Sequence, residues 1–162
     1  MKTYPARFFF VLALALGLAM PAAREANAAA THHAKVVDGV RIYLSVVPGV
    51  FFSAFPPGSS EATMHGGVPR GARFKHLMVT LFNASTGKRI TNAKVTATVR
   101  RVGTSAPGVT KALQPMSWGG YTNYGNYFAM PKGVTYRIDV TVRQPAVRRV
   151  IKTAFDYFEY LH

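Results

Sequence analysis

Thr135-Tyr136-Arg137-Ile138-Asp139-Val140-Thr141-Val142-Arg143 puts Tyr136, Ile138, Val140 and Val142 at every second position, with charged or polar residues between them. A period of two is that of a β-strand with one face buried and one face wet, because successive side chains on a strand point to opposite sides. Turn residues enclose the run, Met130-Pro131-Lys132-Gly133 before it and Pro145 after it. Working outward, Lys94 to Val102 repeats the pattern, with Val95, Ala97 and Val99 against Lys94, Thr96, Thr98 and Arg100. So does Val36 to Val46, where Val40, Ile42, Leu44 and Val46 alternate with Arg41, Tyr43 and Ser45 before Pro48-Gly49 ends the run. Phe74 to Asn83 is apolar on both faces and predicts a central strand, and Val147 to Tyr160 supplies a last one. No segment after residue 30 keeps helical periodicity for three turns. Short strands separated by Gly and Pro turns predict an all-β fold, an immunoglobulin-like antiparallel β-sandwich of about seven strands.

Two segments lack the pattern. Val50 to Arg73 holds Pro56, Pro57, Gly58, Gly66, Gly67, Pro69 and Gly71, and reads as a long loop with a short edge strand near Phe51 to Phe55. Leu113 to Phe128 contains the single tryptophan, Trp118, with Tyr121, Tyr124, Tyr127 and no charged residue, and reads as an aromatic corner of the sandwich.

The first residues carry a different signal. Lys2 and Arg7 precede an apolar run from Phe8 to Met20, and small residues end in Ala26-Asn27-Ala28, the layout of a cleaved secretory signal peptide. The organisation expected is a signal peptide over 1–28, a flexible tail over 29–35 with His32 and His33, and a β-sandwich domain over 36–162, exported to the periplasm. The chain has no cysteine, which excludes disulfides, thiolate metal sites and lipoprotein-type acylation. Its 20 Lys and Arg against 6 Asp and Glu favour anionic partners, an anionic membrane surface or an acidic protein. Export argues against nucleic acid.

Catalytic constellations are missing. Asp38, Glu61, Asp139, Asp156 and Glu159 are scattered, no serine sits in a Gly-x-Ser-x-Gly elbow, and Trp118-Gly119-Gly120 lacks the lysine and helix of a phosphate loop. No enzyme activity is expected. The sharper chemistry is that of a transition metal. His76 and Met78 stand two apart and share a strand face, Met64-His65 lies in the preceding loop, and Met116 and Met130 bracket the aromatic stretch. Imidazole with thioether suits copper where thiolates are scarce. The candidate ligands are Met116, His76, Met78 and His65, with Tyr124, Trp118 and Asn123 around them. The competing reading is an accessory or adhesion module whose Arg100, Arg101, Arg148 and Arg149 contact anionic envelope components or a partner protein.

The run Leu113-Gln114-Pro115-Met116, then Asn123-Tyr124-Gly125-Asn126, Met130-Pro131, Gly133, Tyr136 and Gln144-Pro145 resembles the second half of the periplasmic iron-transport family of the Tpd type. That resemblance implies an immunoglobulin-like sandwich, commonly a homodimer, that binds copper through histidine and methionine and works with a membrane permease. Met116 falls on a ligand position of the family, and Asn123 stands where the family has histidine. Gly71 to Ala97 is also similar to the YtkA-like domain, through the strand, the Gly87-Lys88 turn and the Ala93-Lys94-Val95 strand. Both resemblances imply a small exported sandwich linked to metal handling.

Overall fold

The computed structural model describes residues 33–118, 121–145 and 147–160, with the backbone alone at Trp118. The expected signal peptide over 1–28, His32 and the Trp118 side chain therefore lie outside the described residues. Among the described residues there are eight strands: β1 (Ala34–Val37), β2 (Val40–Pro48), β3 (Phe74–Asn83), β4 (Lys94–Arg101), β5 (Val109–Trp118), β6 (Tyr121–Ala129), β7 (Val134–Arg143) and β8 (Val150–Glu159). They form one antiparallel sheet in the order β1-β2-β3-β6-β5-β4-β7-β8. The sheet curls until its ends approach. Lys35 Nζ on β1 donates to the Ala154 carbonyl on β8 at 2.6 Å, and the His33 ring lies 5.8 Å from that of Tyr157. The result is a nearly closed, barrel-like all-β fold. No helix among the described residues is long and apolar enough to cross a membrane.

The alternating runs fold as their period requires. Val40, Ile42 and Leu44 from β2, Val95, Ala97 and Val99 from β4, and Ile138, Val140 and Val142 from β7 bury against one another in a single core. Leu77, Val79 and Leu81 of β3 join them. His76 and Met78, on the opposite face of β3, are buried too, so β3 is covered on both sides as its two apolar faces predict.

The count of about seven strands in two separate sheets does not hold, and β5 is the reason. Its first half, Val109 to Leu113, pairs with β4; its second half, Gln114 to Trp118, pairs with β6. One strand thus serves both halves and joins them into a continuous sheet. Leu113 to Phe128, read as a corner, is instead the body of two paired strands. The first strand expectation also divides. Asp38 and Gly39 take positive φ of 49° and 76°, the geometry of a two-residue hairpin turn whose twist matches its strands. Ala34 and Lys35, assigned to a flexible tail, open β1. Near Phe51 to Phe55 a 3-10 helix (Gly49–Ala54) replaces the expected edge strand. It is followed by one helical turn, α1 (Ser60–Thr63), and a second 3-10 turn (Met64–Gly66).

Candidate metal centre

The register of three strands decides which side chains meet. On the outer face of β3, His76 lies opposite Tyr127 of β6 and Met78 opposite Gly125. Gly125 in turn lies opposite Gln114 of β5, and Asn123 opposite Met116. Antiparallel partners share a face, so His76, Met78, Gly125, Tyr127, Gln114 and Met116 all project from the side of the sheet away from the main core. The segment between β2 and β3 folds over this patch and brings Phe52 and His65 onto it.

His76 is fully buried at 0% exposure. Its ring is walled by Phe52 and Tyr127, each with a centroid at 4.7 Å, and by His65, nearly parallel at 5.1 Å. Neither Nδ1 nor Nε2 of His76 has a hydrogen-bond partner. A buried polar atom left unsatisfied costs about 1–3 kcal/mol, so two on one ring demand an explanation. His65 is only half buried in its pocket; its Nδ1 lies 2.9 Å from Gln114 Oε1, and its Nε2 is buried without a partner. The amide oxygen accepts, so Nδ1 carries the proton and Nε2 keeps the lone pair. Metal-binding histidines are held in just this way, by a hydrogen bond on the other nitrogen.

Gly125 makes the arrangement possible. A Cβ built there would fall 2.5 Å from His76 Cε1, 2.9 Å from Met116 Sδ and 3.0 Å from His76 Nε2. The imidazole and the thioether therefore converge on the space that any larger residue would fill. Glycine inside a strand is otherwise unfavourable, and often marks such a close approach. A pocket of about 280 Å³, lined by Ser60, Met64, His65, Gln114, Met116 and Ser117, opens beside them.

The structure brings His65, His76 and Met116 together. Met78 lies one register position along the same face, 4% exposed. Tyr124 does not belong to the site: it lies opposite Val79, faces the core, and its hydroxyl accepts from Ala93 N at 2.9 Å and donates to the Ile90 carbonyl at 3.3 Å. Asn123 lies on the right face but is committed, its Oδ1 accepting from Thr80 Oγ1 at 2.6 Å and its Nδ2 donating to the Tyr121 carbonyl at 3.0 Å. The arginines do not form one surface. Arg101 lies opposite Tyr136 at one end of β7, whereas Arg148 and Arg149 follow its other end, about 20 Å away at the rise of an extended strand. Arg100 is paired with Asp139 and Arg149 with Asp38. Sequence reasoning missed Phe52, Gln114, Gly125 and Tyr127.

Among the described residues no group of three or more His, Cys, Asp or Glu could hold a metal ion. Any coordination here must use sulfur beside the two imidazoles. Two neutral nitrogens and a thioether, with no carboxylate beside them in the pocket lining, fit a soft, low-charge ion such as Cu(I) better than a hard divalent one.

Burial first, and then the neighbouring His65, lower the His76 pKa from its ordinary 6.5 to about 3. Burial is also the main cause that lowers His65, opposed by the Gln114 hydrogen bond and helped by the Lys111 charge. His76 thus stays neutral and keeps its lone pair in mild acid. Stability follows with a definite sign. Below pH 6.5 the unfolded chain takes up a proton on His76 that the folded chain refuses until about pH 3, so acid favours unfolding throughout that interval. At pH 5 the metal-free protein is expected to be about 2 kcal/mol less stable than at pH 7.5 on this account, from ~1.4 kcal/mol per pH unit. Urea unfolding of the wild type and of His76→Gln at both pH values tests it; equal pH slopes in the two proteins would refute the assignment.

No protein-family model matches the sequence, and no curated protein matches it. Solved structures do resemble it. A copper-bound variant of FetP from uropathogenic Escherichia coli superposes with a TM-score of 0.58 at 11% identity, covering 76% of this chain and 91% of that one. FetP as isolated after recombinant expression in the periplasm of Escherichia coli gives 0.55 at 14%, with 77% and 92% covered. A DUF4426-family protein from Pseudomonas aeruginosa gives 0.54 at 13%, with 78% and 96% covered. Identities this low carry the fold and no more.

Proposed function

We propose that this protein is an exported, periplasmic copper-binding protein that holds Cu(I) with His76, His65 and Met116, in the service of metal homeostasis or of copper or iron delivery to a membrane permease. The observation that carries the reading is the convergence of His76 Nε2 and Met116 Sδ over Gly125, with both nitrogens of a fully buried ring lacking any hydrogen-bond partner. A bound ion gives the lone pair of Nε2 a partner that the protein does not, with the ring proton on Nδ1. Each donor has its own support: Gln114 orients His65, Phe52 and Tyr127 hold His76 by ring contact, and strand pairing fixes Met116. The fold neighbours include a protein whose structure is copper-bound, and the start of the chain has the layout of a signal peptide. The proposed role is binding, the function that two imidazoles and a thioether brought together support.

Titration with Cu(I) against a competing chelator tests the reading. The mature protein is expected to bind one equivalent more tightly than micromolar, and Cu(II) less tightly because thioether is a soft donor. His76→Ala and Met116→Leu should each weaken Cu(I) by at least about tenfold, or ~1.4 kcal/mol. No stoichiometric binding by the wild type, or binding unchanged in both variants, would sink the site.

A further inference from the structure

We infer that Met64 is the capture ligand of this site: a partly exposed thioether lining the pocket that takes copper from outside and hands it inward to Met116 and finally His76. The inference rests on the copper reading and adds a route to it.

The donors are ordered by depth. His76 is fully buried and does not line the pocket, so a metal carried by another molecule cannot touch it directly. Met116 lines the pocket and is 8% exposed. Met64 and His65 line the same pocket and are less buried than Met116. Consecutive residues ordinarily diverge, by half a turn on a strand and by about 100° on a helix. Here they share a pocket because His65 adopts a left-handed conformation, φ 57° and ψ 27°, directly after an extended Met64 at φ −54° and ψ 144°. Such a conformation is rare for a residue with a side chain, and persists where its surroundings enforce it. They do so through backbone bonds: Met64 N donates to the Ser60 carbonyl, the Met64 carbonyl accepts from Gly67 N at 3.1 Å, and the Ser59 side chain caps α1 through Ala62 N. The corner that presents His65 therefore presents Met64 as well.

Ligand exchange supplies the reason for a partly exposed donor. A low-coordinate soft ion changes partners by gaining a new donor before losing an old one. Met64 sulfur forms the first bond as a donor of the delivering molecule leaves, and that bond breaks once His76 nitrogen has formed its own; the oxidation state is unchanged, and no proton moves to or from the thioether. Met64 sets the rate of the handover, while His76 and Met116 set the resting affinity.

Stopped-flow transfer of Cu(I) between the protein and a chromophoric chelator, in both directions, tests this with Met64→Leu, which keeps volume and removes the sulfur. Loading and unloading should both slow by about tenfold, equivalent to ~1.4 kcal/mol on the exchange barrier, with the equilibrium affinity nearly unchanged. Met116→Leu should lose affinity instead. Wild-type rates in Met64→Leu would overturn the inference and leave the copper site standing. So would a loss of affinity equal to that of Met116→Leu, which would make Met64 a resting ligand. A wild-type protein that binds no copper would remove both readings together.

Discussion

A Gly125→Ala variant is expected to lose copper affinity by about 100-fold, the upper range for disturbing the groups that orient metal ligands, and to be about 1–3 kcal/mol less stable, as overpacking costs. The direction is informative because the usual effect is the opposite. Glycine inside a strand is worth roughly 0.5–1 kcal/mol less than alanine, and Gly125 does not adopt a left-handed backbone that alanine would resist. Only the space forbids a side chain. The added methyl carbon would stand 2.5 Å from His76 Cε1 and 2.9 Å from Met116 Sδ, closer than such atoms approach. His76 cannot retreat, since Phe52, Tyr127 and His65 wall its ring. Met116 is flexible and nearer the surface, so its thioether swings out of the site, while the contact with the walled imidazole remains as strain and accounts for the lost stability. Stability from urea unfolding and affinity from Cu(I) competition check the two halves separately. A variant at least as stable as the wild type, with undiminished affinity, would show that His76 and Met116 do not share the space over Gly125. A destabilised variant with intact affinity would reduce the glycine to packing and dissolve the site.

Strands that bury one face write their pattern into the sequence, and β2, β4 and β7 are legible for that reason. The two apolar faces of β3 likewise announce a strand covered on both sides. β5 is illegible because it changes partners midway: Leu113, in the half paired with β4, is buried on the core face and Met116, in the half paired with β6, is buried on the outer one, so its apolar residues do not keep to one face. In β6 the difficulty is parity. A strand shifted by one residue exchanges its faces, and the sequence alone does not say whether Tyr124 or Gly125 faces the metal donors. Pairing with Val79 sends Tyr124 into the core, and pairing with Met78 brings Gly125 to the site. The donors His65, His76 and Met116 are recognisable by type. Their cradle is not, because Phe52, Gln114 and Tyr127 acquire their roles from pairings between segments far apart in the chain. The one local signal is a glycine set between Tyr124 and Asn126 in an otherwise strand-like run.

Glu159→Ala is expected to cost about 3–5 kcal/mol, the penalty for leaving a buried charge without its partner, against a total stability of about 5–15 kcal/mol for a domain. Lys75 occupies a core-facing position of β3, in step with Leu77 and Val79, and its Nζ meets Glu159 Oε1 at 2.6 Å with the two side chains only 5% and 9% exposed. Glu159 is the last residue of β8, so the pair ties opposite halves of the curled sheet together at the end of the core. Tyr157 completes it by donating its hydroxyl to Glu159 Oε2 at 2.6 Å; burial, then this hydrogen bond, push the Tyr157 pKa up, which keeps the phenol protonated as a donor. Removing the carboxylate strands an ammonium and a hydroxyl at once. Replacing both charges, as in Lys75→Met with Glu159→Leu, removes the desolvation penalty along with the attraction, and should recover most of the loss. The exposed pairs Arg100–Asp139 and Arg137–Asp156 supply the contrast: the median surface pair contributes about 0–1 kcal/mol. A double-mutant cycle on urea midpoints measures the coupling. A loss under about 1 kcal/mol in Glu159→Ala, equal to that of a surface pair, would mean that water reaches Lys75 and that the apolar core and the strand pairing hold this end of the sheet without the ion pair.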